Sequence, residues 1–175
     1  MGIGVFLSYP KPFLKEQEEF IDMMINYLKG RGFEPRTLGV TDYDMDAPLI
    51  AIRKLMAKSS GLITVAFRRN FIKRGEIRPN SDLGQASKKI FEEWTTSPYC
   101  QIEPAMAFQM DLPILVLREK GVMEEGILEK GATGTYLTEF ELGKSGTVYL
   151  ESEEWSQLIR QWEGYVRNKF EKNRK

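Results

Sequence analysis

The sequence predicts an α/β fold, in which a three-layer, open and mostly parallel sheet carries helices on both faces. Two observations predict it. Several short apolar runs lack the polar alternation of half-exposed strands, and amphipathic segments of helical period lie between them. Strands that alternate with helices form parallel sheets covered on both sides. With 175 residues, the chain is expected to form a single domain over residues 1–175.

The strands are predicted from short runs bounded by turn residues. The apolar runs at 3–9, 59–67 and 111–119 are typical of buried strands, and the second of these is β-branched and follows a Ser-Ser-Gly turn. The run at 33–38 contains a proline, which favours an edge strand or a strand start. A last short strand is expected within 135–140.

The helices are predicted from apolar residues that recur at spacings of three and four. Asp46 stands where it can N-cap the second helix, and the last helix is expected to pack on the sheet. The polar connection 68–85 precedes the third helix, and connections of this length are usually functional or mobile. The predicted helices cover 13–28, 47–58, 84–94, 98–110, 123–132 and 152–172.

The composition excludes several classes of chemistry. The chain has no histidine, which removes Ser-His-Asp and Cys-His catalysis together with HExxH zinc sites. Its one cysteine, Cys100, excludes a disulfide framework and favours the reducing cytoplasm. Lys+Arg 25 balances Asp+Glu 25, and no apolar run reaches the ~20 residues that span a bilayer. We therefore expect a cytoplasmic protein with neither a nucleic-acid nor a membrane partner.

The stretch "TTSPYCQIEPAMAF" places one carboxylate, Glu103, among small and apolar residues. Burial of an unpaired carboxylate costs several kcal/mol or more. One interpretation is therefore an ion pair with Arg68, Arg69 or Lys88 near a helix start. The other is a functional carboxylate whose pKa is raised by its apolar neighbours.

The residues around Glu103 also predict the local geometry. Ser97 can N-cap the helix and Pro98 can occupy its first position, which are preferred residues there. Pro104 removes one helical hydrogen bond, so we expect a kink or a restart at Glu103 that aims its side chain into a cleft. Cys100 is interpreted as a small buried hydrophobic residue and not as a nucleophile.

Ligands of open α/β sheets bind outside the carboxyl ends of the strands, where the strand order reverses. The residues that leave those ends here are Ser8 and Tyr9 after the first strand, Thr37–Asp46 after the second, and Phe67–Arg69 after the third. The helix that carries Glu103 follows the third strand and its connection. Its first half is therefore expected at the same rim.

Three pieces of the sequence together resemble a Toll/interleukin-1 receptor (TIR) domain. These are "GVFLSY" as first strand and turn, a loop after the second strand, and "SPYCQIE" opening a late helix. The chain most resembles the bacterial, NAD-consuming members used in antiphage defence, and nucleoside deoxyribosyltransferases share the layout. Such enzymes carry a Ser-x-x-Cys-x-x-Glu pattern that Ser97, Cys100 and Glu103 match, and Tyr99 stands where an aromatic residue is common. The segment 68–94 is longer than the family's usual connection.

The resemblance implies a flavodoxin-like or TIR-like sheet and an NAD glycohydrolase or cyclase. The enzyme would cleave the nicotinamide–ribose bond of NAD, giving ADP-ribose or a cyclic ADP-ribose-type signal, in bacterial antiphage defence. Glu103 would stabilise the ribose cation or attack it. NAD would be the substrate with no further cofactor and no metal, and self-association or another defence protein is expected. The alternatives are a deoxyribosyltransferase-like enzyme with Glu103 as covalent nucleophile, and a non-catalytic TIR module for nucleotide binding or assembly.

The substrate-binding residues are expected at the rim beside Glu103. An aromatic ring there can stack on a base and two arginines can meet phosphates, although a basic loop is usually only solvated. The loop after the second strand, in TIR domains, tends to cap the pocket or mediate assembly. The predicted substrate-binding residues are Ser8, Tyr9, Tyr43, Asp44, Phe67, Arg68, Arg69, Ser97 and Tyr99.

Overall fold

A five-stranded parallel sheet forms the centre of the computed structural model, which describes residues 2–134, 137–143 and 147–174. Its strands are β1 (Ile3–Ser8), β2 (Phe33–Arg36), β3 (Leu62–Ala66), β6 (Ile114–Glu119) and β7 (Thr138–Phe140), while β4 (Asn70–Ile77) and β5 (Lys88–Thr95) form a separate hairpin. The strand order in the main sheet is β2-β1-β3-β6-β7, and every neighbouring pair is parallel. This order is the flavodoxin-like arrangement, and it confirms the predicted fold class.

Helices cover both faces of this sheet, as predicted. They are α1 (Lys15–Gly30), α2 (Pro48–Ala57), α3 (Tyr99–Gln109), α4 (Thr147–Leu150) and α5 (Glu153–Asn173). The helices α1 and α5 bury one face of the sheet, with Trp155 and Trp162 of α5 in that core, while α2 and α3 bury the other face. None of the helices in the described part of the chain has the length and apolar character needed to span a membrane.

The alternation of side chains along β3 decides which residues face which layer. All five residues of this strand are buried, because helices lie on both of its faces. Ile63 and Val65 pack in the core under α1 and α5, whereas Leu62 and Ala66 pack in the core under α2 and α3. Pro35 lies in β2, which is an edge strand, as its missing N–H requires.

Gly61, just before β3, is where α5 approaches the backbone most closely. A Cβ atom at this position would lie 2.5 Å from Val166 Cγ2 and 3.1 Å from Trp162 Cζ2. We expect Gly61→Ala to lower the free energy of unfolding by about 1–3 kcal/mol, because the helix must shift to admit the methyl group. Gly164→Ala is the matched control, since a Cβ atom there meets nothing within 4 Å. Urea unfolding that finds both variants equally stable would contradict this.

The helix predicted at 84–94 is wrong, because most of this segment belongs to a strand. Lys88–Thr95 forms β5, which pairs antiparallel with β4, Asn70–Ile77, inside the connection predicted as a polar loop. The rings of Phe71 and Trp94 pack across the two strands, with centroids 4.9 Å apart. Cross-strand contacts of this kind favour the hairpin and outweigh the helix propensity of the lysines and glutamates in this segment.

Two smaller predictions also change, and a third is confirmed. The segment 123–132 holds only a 3-10 turn, Gly126–Leu128, whose glycine has a φ of +60° that no α-helix continues. Asp46 does not cap α2, because Ala47 occupies the cap position and Asp46 pairs with Lys54. The predicted strand at 135–140 is confirmed as β7, although residues 135 and 136 lie outside the described part of the chain.

Candidate active site

The candidate site lies where the strand order reverses. The chain forms β2 on one side of β1 and then returns to form β3 on the other side, so the switch point is the gap between the carboxyl ends of β1 and β3. Ser8 is the last residue of β1, and α3 packs against β1 and β3 on the face that Ser8 shares. The predicted rim and the Glu103 helix therefore do come together.

Glu103 points inward from α3. The buried stripe of this helix contains Cys100, Glu103 and Ala107, which recur at helical spacing and face the sheet. The Glu103 side chain is only 8% exposed, and its Oε2 accepts a short hydrogen bond from the Ser8 hydroxyl group. The helix does not restart at Glu103, since α3 continues through Pro104 to Gln109.

Burial dominates the electrostatics of Glu103. Loss of water raises the pKa of its carboxyl group from 4.5 to about 7, and the Ser8 hydrogen bond opposes that rise. This confirms the expectation that apolar surroundings raise the pKa. The ion-pair interpretation is wrong within the part of the chain that the structure describes, where no lysine or arginine pairs with Glu103.

Two further side chains lie between the same helix and the sheet. Thr64 of β3 is the register partner of Ser8, is fully buried, and its hydroxyl group has no hydrogen-bond partner among the described residues. Sequence reasoning missed Thr64, although a hydroxyl group within an otherwise apolar strand was a signal. Burial raises the pKa of the Cys100 thiol to about 12, so this cysteine is a poor nucleophile, as predicted.

The start of α3 borders a small groove. Pro98 occupies the cap position instead of the predicted first helical position, and the hydroxyl oxygen of buried Ser97 accepts a 3.3 Å hydrogen bond from Tyr99 N–H. Gln101 holds the following turn in place, since its amide donates to Glu125 O at 2.9 Å. The groove encloses about 300 Å³ and is lined by Asn70, Thr95, Thr96, Ser97, Pro98, Gln101, Val122, Met123, Glu125 and Leu128.

Tyr9 and Tyr99 lie close to the rim. Tyr9 follows Ser8 directly and is half-buried, and burial is the main cause of its raised pKa. Thr37, at the start of the next loop, donates a 2.9 Å hydrogen bond to Leu7 O, so this loop begins beside the end of β1. Tyr99 is 40% exposed at the first position of α3.

Contrary to the prediction, the side chains of Phe67 and Arg68 do not face a ligand at the rim. Phe67 is fully buried and packs edge-on against Phe20 at 5.8 Å, so its ring cannot stack on a base. Arg68 Nε donates to Lys120 O at 2.6 Å, and the Arg68 guanidinium group lies over Trp94. Phe67 falls on the α1 face because the alternation of β3 turns it away from Ser8.

The other predicted rim residues lie at the surface. Arg69 is exposed at the base of the hairpin, where its N–H donates to Thr95 O at 2.9 Å. Tyr43 is 82% exposed. Asp44 pairs with Lys54 at 3.3 Å, which holds the loop against α2. No contact between either loop residue and Glu103 is present among the described residues.

A second buried carboxylate, Glu119, went unpredicted. It ends β6 on the α1 face, where its Oε2 accepts a 2.7 Å hydrogen bond from Arg68 N–H. Burial is the main cause that raises its pKa. Gln17 of α1 also contacts this corner, because its amide donates to Arg68 O at 3.2 Å. Glu119 therefore stabilises the turn after β3 and lies on the opposite face of the sheet from Glu103.

Comparison with known proteins supports the fold and leaves the family open. No family model matches the chain, and no curated protein matches it. Among solved structures, the CMP N-glycosidase BcmB of Clostridium botulinum matches with a TM-score of 0.51 and 15% sequence identity, over 85% of this chain and 94% of that one. The match shows a shared fold. The TIR resemblance is compatible with it and stays a prediction.

Metal-ligating side chains do not cluster in the part of the chain that the structure describes. Among the described residues, no three histidine, cysteine, aspartate or glutamate side chains lie together in a way that could hold a metal ion. The polar groups that the structure brings together at the switch point are instead one carboxyl group and the hydroxyl groups of Ser8 and Thr64. A carboxylate in such surroundings can stabilise a cation that forms beside it.

Proposed function

We propose that this chain is an enzyme that cleaves the N-glycosidic bond of a nucleotide, with Glu103 as the catalytic carboxylate. The observation that carries the proposal is the setting of Glu103. This side chain is buried at the switch point of the sheet, accepts a hydrogen bond from Ser8, and has no arginine partner among the described residues. Perturbed carboxyl groups in such positions are candidates for catalysis. The related fold of a CMP N-glycosidase supports this class of reaction.

The chemistry favours NAD as the substrate. Cleavage of an N-ribosyl bond passes through a state with positive charge on the ribose, which a carboxylate in a dry site stabilises strongly. Nicotinamide already carries a positive charge in NAD and leaves without a proton. A site with one carboxylate, Glu103, therefore suffices for NAD. Hydrolysis would give ADP-ribose, and internal attack would give a cyclic isomer.

A nucleoside monophosphate is the second candidate substrate, because the matching solved structure is a CMP N-glycosidase. A neutral base such as cytosine needs a proton donor to leave. Glu103 could donate that proton from its neutral form, since its pKa of about 7 leaves both forms populated at neutral pH. The two substrates therefore predict opposite pH dependences for the same carboxyl group.

Incubation of the full chain with NAD or with CMP, followed by mass analysis of the products, tests the proposal. We expect nicotinamide and ADP-ribose or its cyclic isomer from NAD, and loss of at least about a hundredfold in rate for Glu103→Ala. Glu171→Ala is the matched control, because this exposed carboxylate lies near the end of α5, on the opposite face of the sheet from Glu103. Release of base by Glu103→Ala at the wild-type rate would refute the assignment.

Further measurements separate the remaining alternatives. A covalent glycosyl adduct on Glu103, detected with a deoxynucleoside, would favour the deoxyribosyltransferase-like reaction. Unchanged NAD and CMP, with a melting shift on nucleotide addition, would favour a binding module. A role in antiphage defence, suggested by the TIR resemblance, would require that the activity appear during phage infection of cells that carry the protein.

A further inference from the structure

A cavity of about 580 Å³ lies at the start of β6, where it is lined by the end of α3 and by one side of α5. Its volume falls in the range of small-molecule sites. Neither Ser8 nor Glu103 lines it, and it lies toward the amino end of β6, whereas the candidate active site lies at the carboxyl ends of the strands. The cavity is therefore separate from that site.

Aromatic side chains of two helices line this cavity. Four residues of α5 recur at spacings of three and four, and so share the side of the helix that meets the cavity: Leu158, Gln161, Trp162 and Tyr165. The Trp162 ring is buried, and its Nε1 donates to Pro113 O at 3.1 Å. Tyr165, however, is 61% exposed, and Phe108 at the end of α3 is 56% exposed. Aromatic rings left open on a concave surface can pack against a planar ligand.

The cavity has a single charged group. Among the described residues that line it, Asp111 alone is charged. Its side chain is exposed and forms no ion pair within the described part of the chain. A carboxylate beside aromatic rings attracts a cation, because the ring faces are themselves electron-rich. A phosphate group finds no lysine or arginine among these residues, so the ligand differs in class from a nucleotide.

Asp111 is disfavoured by its local structure. It directly follows the C-cap of α3 with a φ of +53°, at a position that glycine or asparagine usually occupies. The turn is closed by hydrogen bonds from Asp111 N–H to Phe108 O at 3.1 Å and from Leu112 N–H to Ala107 O at 3.0 Å. The carboxylate also lies at the negative end of the helix dipole. Two local effects therefore oppose an aspartate that a cation site at this cavity requires.

We propose that the cavity between α3 and α5 binds a small planar aromatic cation. The rings of the ligand pack against Phe108, Trp162 and Tyr165, and its positive charge lies beside Asp111. A cavity of this volume admits a ligand of about two or three fused rings. This second site takes a ligand of a different class from the substrate, and its occupancy does not depend on the reaction that Glu103 performs.

Three ligands that share one ring system and differ in charge test the site in the full chain. At pH 7, proflavine is a cation, acridine is neutral and acridine carboxylate is an anion. Titration followed by ligand fluorescence should find saturable binding of proflavine, about tenfold tighter than that of acridine. The anion should bind more weakly than acridine, because it meets Asp111 with a like charge.

Two variants separate the roles of charge and ring. Asp111→Asn should lower the affinity for proflavine about fivefold and leave that for acridine unchanged. Asparagine also adopts the left-handed conformation, so the turn after α3 is kept. Tyr165→Ala should weaken the binding of both ligands, because it removes an exposed ring from the cavity. Asp82→Asn is the matched control, since it removes the same charge at an exposed position between β4 and β5 and should bind as the wild type does.

Several outcomes would overturn the proposal. These are no saturable binding of proflavine up to about millimolar concentration, equal affinity for all three ligands, and unchanged proflavine binding by Asp111→Asn or by Tyr165→Ala. A wild-type dimer that Tyr165→Ala dissociates would also do so, because a second copy of the chain would then fill the cavity. Circular dichroism reports whether each variant folds. Binding is measured without substrate, so a failure of the proposed function would not alter this result.

Discussion

The rate of nicotinamide release from NAD is expected to rise about tenfold between pH 5 and 6, then more slowly, and to level off near pH 8. Burial raises the pKa of Glu103 to about 7, so at pH 5 about one molecule in a hundred carries the carboxylate. Only the carboxylate can stabilise a ribose cation or attack it. The total change between pH 5 and 8 is therefore about a hundredfold in kcat/KM, measured by following nicotinamide in buffers of constant ionic strength.

Ser8→Ala provides the control for this pH profile. The Ser8 hydroxyl group donates to the Glu103 carboxylate and lowers its pKa. Its removal should move the acidic limb of the profile to higher pH, while the plateau reports any loss of ribose contacts. A profile that falls as the pH rises through 7 would show Glu103 acting as a proton donor. That outcome would favour a neutral leaving group, as in CMP, over NAD.

The parallel sheet could be predicted from the sequence because each strand can be recognised from its own short run of residues. The run at 59–67 is apolar throughout, as a strand covered on both faces must be, and β3 occupies its centre. The hairpin could not be predicted in this way. Its pairing joins Phe71 to Trp94, and the segment 84–94 alone contains lysines and glutamates that suit a helix equally well. Pairing between distant residues decided the structure there.

The candidate site could likewise be predicted only in part from the sequence. Glu103 stood out because a carboxylate in an apolar run must be paired, protonated or functional. Its partner Ser8 was expected at the same rim, but the hydrogen bond joins residues 95 positions apart and follows from the packing of α3 on β1. The prediction that Phe67 binds a ligand was wrong because the alternation of side chains along β3 decides which face of the sheet Phe67 lies on. That alternation places its ring in the core under α1.

Glu103→Gln is expected to stabilise the protein above pH 7 while removing its activity. A carboxyl group whose pKa rises on folding from 4.5 to about 7 binds more protons in the folded state between those values. Its contribution to stability is therefore complete below pH 4.5 and is lost as the pH rises through 7. The loss is roughly 3 kcal/mol, as an order of magnitude. Glutamine stays neutral and keeps that contribution at every pH.

The comparison to make is the difference in unfolding free energy between wild type and Glu103→Gln at pH 5 and at pH 8, by urea denaturation. The difference should be small at pH 5 and should favour the variant by roughly 3 kcal/mol at pH 8, because the other titrating groups contribute equally to the stability of both proteins. Glu163→Gln is the matched control: this glutamate is also buried but pairs with Arg31 at 2.7 Å, so its neutral variant should be less stable than wild type. Equal stability of Glu103→Gln and wild type at pH 8 would mean that water reaches the carboxylate. A site wetted in that way could not favour a ribose cation, so the stability measurement bears on catalysis without any substrate.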